Sequence, residues 1–543
     1  MKRWAVFCLT VTLLFSASAV VDGAEGGLRL PSVFSDHMVL QRDIPVPVWG
    51  RATPGSLVTV EFAGQRKTAE ADPEGAWRIV LDPLLASAEP RELTVLSSIG
   101  NQKSEIIDVL VGEVWICSGQ SNMYLPLVLS ERGKESIDTA DIPNLRLLMI
   151  TPRKEDSFLQ TLRVETSAMF PSNYVPVSTP RFDFRGQWAP SQAGSGKVKS
   201  FSGAAFYFGR RLCKELGVPV GLIQMAEGGT PAESWVSEKQ LQSRPEFGYI
   251  YERQALWEKN REQYRKKFET EALAPWRVAA SAASAGEKKP QPPYPPKELR
   301  PNWMASSLYN ALVFPLSSYA MRGVIWYQGE SNTEKADRYQ LLFSALIADW
   351  RQLWGQGNFP FYFVQLPNYG SSESGLALCP WAELREAQLE THRSVENTGM
   401  AVTIDIGEAG NVHPANKHDV GNRLALWALN NTYGRKDLVC SGPLYRSAEF
   451  LNDRIVLHFD YVGGGLTVPP GESLGSVEIA DAKGLWHSAR GGITNDTVVV
   501  WHDAVSCPQG VRYAWAGNPE HANLYNRERL PASPFQAVKN KDK

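Results

Sequence analysis

The chain has 543 residues, several times the length of one domain, so a multidomain globular protein is expected. With 43% hydrophobic and 21% charged residues it is neither mainly disordered nor fibrous. Basic and acidic residues number 56 and 58, with no basic block to track phosphates, which excludes nucleic acid as an expected partner.

At the N-terminus, Lys2 and Arg3 precede an apolar run from Trp4 to Phe15, and Ala17-Ser18-Ala19 offers a small-residue cleavage site. That pattern predicts a signal peptide over residues 1–19 and an exported protein, periplasmic or extracellular. The run is too short to span a bilayer, and no later stretch is long and apolar enough to do so. Of the six cysteines, Cys8 lies in this segment; of the rest, Cys440 and Cys507 are the best-placed candidates for a disulfide. Neither a CxxC motif nor a Cys/His cluster is present, so no metal site is expected, and no cofactor. The 17 Trp supply flat faces of the kind sugar rings use, as well as packing for cores and domain seams.

Residues 27–108 alternate apolar and polar positions, as in Val58-Thr59-Val60-Glu61-Phe62, between turns such as Pro54-Gly55. A small antiparallel β-sandwich is the expectation there. From residue 109 to 435 the texture changes. Strand candidates at Glu113–Cys117, Val220–Met225, Gly323–Tyr327, Phe361–Leu366 and Ala401–Ile406 alternate with helix candidates. The latter are Gly203–Leu216, Ala336–Leu353, Trp381–Ser394 and Asp419–Asn430. Such alternation predicts an α/β domain, a parallel sheet with helices on both faces. Residues 258–300 run from a charged helix into an Ala/Lys/Pro-rich stretch, which predicts a mobile insertion. Beyond residue 436 alternation returns (Thr497-Val498-Val499-Val500), predicting a C-terminal β domain over 436–543.

Ligands of an open parallel sheet bind beyond the carboxyl ends of its strands, where three polar, glycine-containing turns fall. Ser118-Gly119-Gln120-Ser121-Asn122 follows the first strand, and a serine in so tight a turn exposes its hydroxyl and aims its N–H at a developing oxyanion. Gly228-Gly229-Thr230 permits close backbone approach and a second N–H. Gln328-Gly329-Glu330-Ser331-Asn332 adds neutral amide donors. A serine nucleophile needs a base, and of eight histidines only His413 lies at such a turn. Ser121 is not in a G-x-S-x-G setting, which argues against an α/β-hydrolase elbow. Glu233, Glu330 and Arg385 also fit an ion-pair network near the site.

The segments GQSNM at 119–123, GGTPAESW at 228–235, WYQGESN at 326–332, WAELREAQ at 381–388 and HPANKHDVGNRLALWAL at 413–429 closely resemble the sialate O-acetylesterase family. So do Phe34–Arg42 and Leu530–Phe535, so the resemblance spans nearly the whole mature chain. It implies an SGNH-type hydrolase domain flanked by β domains, removing O-acetyl groups from sialic acid or related sugars. Ser121 matches the family's nucleophile and His413 its base. Ser121 N–H, Gly229 and Gln328 fall at positions suited to the oxyanion hole, with Gln120, Asn122, Glu330 and Asn332 as substrate-binding candidates. Where the family commonly reads D-I-H-P, this chain reads Asn411-Val412-His413-Pro414. That leaves Asp405 as first candidate for the orienting acid, Glu408 as second, and a Ser–His dyad oriented by Asn411 as a third description. Glu227 replaces a more usual apolar or small residue ahead of the glycines. The rival readings are an acetyl xylan or polysaccharide esterase and a carbohydrate-binding protein on a degenerate hydrolase scaffold.

Overall fold

The computed structural model describes residues 27–151, 177–283, 290, 292–372 and 379–539; the segment expected to be a signal peptide lies outside them. The core is a mixed sheet whose strands are β1 (Gln102–Gly119), β2 (Ile142–Met149), β3 (Trp188–Ser191), β4 (Val220–Ala226), β5 (Gly323–Tyr327), β6 (Phe361–Val364) and β7 (Thr398–Ala401). Their order is β7-β6-β5-β1-β4-β2-β3, parallel throughout except for the antiparallel edge strand β3. Central strands buried on both faces read as unbroken apolar runs, which is why Val324–Tyr327 and Phe361–Val364 are fully buried.

Four helices cover this sheet: α1 (Gly203–Leu216), α2 (Ala336–Trp354), α3 (Pro380–Ser394) and α4 (Lys417–Trp427). Ser202 caps α1 by accepting from Ala205 N–H (3.1 Å), and Gly217, at φ +65°, ends it. The register places Trp326 opposite Ser118, so Trp115 and Trp326 point to opposite faces. Trp115 meets Phe208 of α1, and Trp326 meets Phe343 and Trp350 of α2. Each face therefore has its own aromatic layer and its own helices. α4 lies so close to α1 that a Cβ on Gly421 would stand 2.5 Å from Ala204 O.

Four features differ from the sequence reading. First, residue 108 is no break between separate sheets. β1 pairs with Ser87–Ser97 and Val39–Gln41 of the N-terminal β region and runs on into the central sheet. Asp108 sits within it at φ +54°, its carboxylate held by Arg146 (2.5 Å) and His37 (2.6 Å). Second, the last parallel strand is Thr398–Ala401 rather than Ala401–Ile406; its apolar continuation is loop. Third, the described part of the 258–300 segment is built, not loose. Phe268, Leu273 and Leu299 form a small apolar core of their own, with Tyr264 and Trp276 against it. Trp276 Nε1 also donates to Pro290 O (2.9 Å). Apolar residues scattered through a polar stretch meet only after the segment folds back, which its composition does not reveal. Fourth, Cys440 and Cys507 are both free, the first buried and the second exposed.

After residue 436 come two four-stranded antiparallel sheets, whose facing residues Tyr445 and Phe535 stack at 4.4 Å. Arg385 of α3 ties this region to the central domain, donating to Leu366 O and Pro367 O on one side and Ala516 O and Gly517 O on the other. Burial pushes this guanidinium down to about 9, yet it pairs with neither Glu233 nor Glu330.

Candidate active site

Ser121 opens a short helical turn, Ser121–Tyr124, immediately beyond β1. Its position is set by a close backbone crossing. Gly119 adopts φ +133°, and a Cβ there would stand 2.2 Å from Tyr327 O at the end of β5. Gln120 N–H donates to that same carbonyl (2.9 Å), so the turn is pinned to the neighbouring strand. Only glycine permits this approach.

His413 reaches the serine from the loop after β7. Its Nε2 lies 2.7 Å from Ser121 Oγ, close enough to take the hydroxyl proton. The backbone N–H of His413 donates to Asn411 Oδ1 (3.0 Å). Burial depresses the affinity of the ring for a proton, and the Lys417 ammonium nearby depresses it further. The imidazole is thereby kept in its basic form near neutrality.

Beside the serine, the glycine turn runs off the end of β4, with Gly229 at φ +63°. Glu227 N–H donates to Gly119 O (3.1 Å), bringing this turn against the nucleophile turn. Residues 300–303, the foot of the insertion, roof it over. Trp303 Nε1 donates to Gly229 O (2.5 Å), and Asn302 Nδ2 donates to Glu227 Oε1 (3.3 Å). Arg253 stacks on Trp257 at 4.7 Å and pairs with the buried Glu233 at 2.6 Å. Burial pushes the Glu227 carboxyl up to about 8, so it is protonated and neutral at pH 7.

Several sequence-predicted residues sit elsewhere in the design. Gln328 is fully buried; its Nε2 donates to Thr230 O (3.2 Å) and Asn332 Oδ1 (2.7 Å), and its Oε1 accepts from Tyr339 (2.8 Å). With its amide hydrogens so engaged, it braces the glycine turn and is not an oxyanion donor. The N–H groups of Ser121 and Gly229 take part in no hydrogen bond among the described residues. Asn332 likewise donates to Glu233 (2.9 Å) and accepts from Ala232 N–H (2.9 Å), which makes it framework rather than a substrate contact. Gln120 is buried and accepts from Ser331 N–H (3.3 Å). Asn122, fully buried, donates to Glu330 Oε1 (2.5 Å) and Val412 O (2.9 Å). Glu330 Oε2 is buried without a hydrogen-bond partner among the described residues. Of the four substrate-binding candidates, Asn122 and Glu330 bond each other, while Gln120 and Asn332 are engaged by Ser331 and by Ala232, Glu233 and Gln328.

Asp405 and Glu408, the two acids expected behind the imidazole, are both engaged by other partners. Both Asp405 oxygens are held by Arg423, at 2.6 and 2.7 Å, and the pair lies beside Tyr525 of the C-terminal region. Asp405 anchors the loop to α4 instead of standing behind the imidazole. Glu408 accepts from Asn411 Nδ2 (3.1 Å) and Ala415 N–H (2.9 Å), bracing the exposed tip of the loop. Among the described residues, one that sequence reasoning missed is Lys417. It is fully buried, donates to Asn122 Oδ1 (2.7 Å) and Pro414 O (2.9 Å), and is pushed down to about 7 by burial. Its position four residues after His413, at the start of a helix, is a signal that spacing alone does not separate from an ordinary surface lysine.

The comparisons with known proteins agree with this architecture. Residues 297–430 match the family model described as carbohydrate esterase, sialic acid-specific acetylesterase. The sialate O-acetylesterase of Rattus norvegicus is 30% identical over 97% of each chain. The chain belongs to the sialate O-acetylesterase family. The Mus musculus enzyme of the same name is 29% identical, again over 97% of each chain. Among solved structures, a carbohydrate acetylesterase from Xanthomonas citri superposes with a TM-score of 0.75, at 32% identity, over 94% of this chain and 99% of that one. The protein is therefore a carboxylic ester hydrolase of the carbohydrate esterase type. No helix among the described residues is long and apolar enough to cross a membrane.

Proposed function

We propose that this protein is an exported esterase that removes O-acetyl groups from sialic acid or related acetylated sugars by a Ser121–His413 acyl transfer. The observation carrying the mechanism is the 2.7 Å contact between His413 Nε2 and Ser121 Oγ. Ser121 attacks the acetyl carbonyl while His413 takes its proton. The tetrahedral oxyanion is received by the N–H groups of Ser121 and Gly229, each worth about 3 kcal/mol, roughly a hundredfold in rate. His413 then protonates the departing sugar oxygen. Water, activated by the same imidazole, attacks the acetyl-serine and releases acetate. The Glu227 carboxyl is neutral at pH 7, so it adds no negative charge beside the oxyanion position.

Export rests on the Lys2-Arg3, Trp4–Phe15 and Ala17-Ser18-Ala19 pattern. The sugar is tested with a panel of O-acetylated sialic acid and acetylated xylo-oligosaccharide, following acetate release by wild type and Ser121→Ala. The proposal expects faster release from the sialic acid, abolished by the substitution. Release from xylo-oligosaccharide alone transfers the protein to polysaccharide de-acetylation. No release from either, with binding retained, makes it a carbohydrate-binding protein.

A further inference from the structure

A buried ammonium is costly to maintain, since an apolar side chain of similar length would fill the same space without desolvating a charge. Lys417 is such a group below about pH 7, and its contacts bracket the candidate catalytic pair. Asn122 directly follows Ser121, while Val412 and Pro414 flank His413. Asn122 Nδ2 donates to Val412 O (2.9 Å), and Lys417 Nζ bridges Asn122 Oδ1 (2.7 Å) to Pro414 O (2.9 Å). The peptide carbonyls on both sides of the imidazole are thus tied to the side chain next to the nucleophile, one directly and one through the ammonium.

Both ends of this arrangement are anchored. Lys417 begins α4, whose first turn is capped by Asn416 accepting from Asp419 N–H (3.0 Å). The ammonium rides over the Tyr327 ring at 5.1 Å, and Tyr327 O is the carbonyl that pins the nucleophile turn. Glu330 completes it, accepting from Asn122 at 2.5 Å and offsetting the lysine charge.

We propose that Asn122 and Lys417 form a buried latch that fixes the reach of His413 to Ser121, with Lys417 as the positioning residue. The proposal rests on the Ser121–His413 reading above. A misplacement of about 1 Å in a reacting pair costs on the order of a hundredfold in rate, so a latch at this point acts on turnover rather than on substrate affinity. The same ammonium has an electrostatic effect on the imidazole. Among the described residues, the charged and titratable groups facing the ammonium are Glu330, Glu408, Tyr327 and His413. Of these, Glu330 and Glu408 favour the ammonium, and the ammonium in turn disfavours protonation of His413.

The test is the pH profile of 4-nitrophenyl acetate hydrolysis by wild type, Lys417→Met, Lys417→Arg and the charge-balanced Lys417→Met/Glu330→Gln. Lys417→Met is expected to lower kcat by about 30- to 100-fold with KM within about threefold. The acid limb should move to higher pH, because the imidazole loses a neighbouring cation and protonates more readily. Lys417→Arg should return the limb towards wild type while recovering only part of kcat, since the planar guanidinium does not reproduce both contacts. If Lys417→Met does not fold, the double variant carries the test, with a melting temperature near wild type and the same loss of kcat. Folded variants with kcat within threefold and an unmoved acid limb overturn the latch. A double variant that also fails to fold assigns Lys417 to packing and overturns it equally. Ser121→Ala, run alongside, separates the two readings: retained turnover there removes the serine mechanism, whereas a dead Ser121→Ala with normal Lys417→Met removes only the latch.

Discussion

Ser121 is carried by backbone, on a turn whose Gly119 presses against Tyr327 O and whose neighbours are fully buried. His413 is carried by side chains, at the end of a loop whose residues 408–411 are exposed and whose bonds run through Glu408, Asn411, Lys417 and the Asp405–Arg423 pair. A backbone crossing tolerates no added atom, so damage on the serine side is all-or-none. A loop held by several separate side-chain bonds loses them one at a time, so damage on the histidine side is graded.

The largest expected effect tests the serine side. Gly119→Ala places a Cβ 2.2 Å from Tyr327 O at a φ of +133°. The strand-end register should fail, with a melting temperature lowered by more than about 10 °C and esterase activity lost. A folded, active variant would show that the crossing is not what sets the turn. On the histidine side, Glu408→Gln removes one acceptor from the loop tip. Turnover should fall about tenfold with the melting temperature nearly unchanged. Asp405→Asn should do the reverse, because it leaves Arg423 buried without its carboxylate partner. Stability should drop by about 2–4 kcal/mol in denaturant unfolding, and kcat should stay within about threefold. A steep kcat loss at Asp405 with stability intact would return it to the orienting role.

The smallest effect concerns Glu227 and depends on pH. Burial raises its carboxyl to about 8, so between the ordinary carboxylate range and pH 8 the folded state holds a proton that the unfolded state has lost. Stability should therefore fall as pH rises across that window. Glu227→Gln removes the dependence, melting close to wild type at pH 5 and several degrees higher at pH 8. Parallel melting curves for the two proteins across pH 5–8 would show that the carboxyl is not held in a neutral form. In a pH–activity profile the acid limb of the wild type should lie below the usual histidine range, since burial and Lys417 both disfavour the imidazolium.

The parts of this design that were legible in the sequence are those fixed by local pattern. Gly203–Leu216 and Gly323–Tyr327 have the bounds their apolar periodicity predicts, and α2 and α3 differ by one residue at an end. Polar residues and glycines are common at strand ends, so the serine and histidine turns were singled out by the family-like segments GQSNM and HPANKHDVGNRLALWAL rather than by spacing. What was not legible depends on who uses a donor first. Gln328 has the chemistry of an oxyanion donor, but Thr230 and Asn332 consume it within the buried layer. Asp405 has the chemistry of a triad acid, but Arg423, eighteen positions further along the chain, claims both oxygens. Lys417 gave no sign, because burial of a lysine is decided by the packing of α4 against α1 and the sheet.

The most direct test of the central claim is to find the acyl group. Wild-type enzyme mixed with excess chromogenic acetyl ester, quenched in acid within the first turnovers and digested, should carry an added mass of about 42 Da on Ser121, with none on Ser121→Ala. An unmodified Ser121 during active turnover, or hydrolysis by Ser121→Ala within tenfold of wild type, would contradict acyl transfer through this serine.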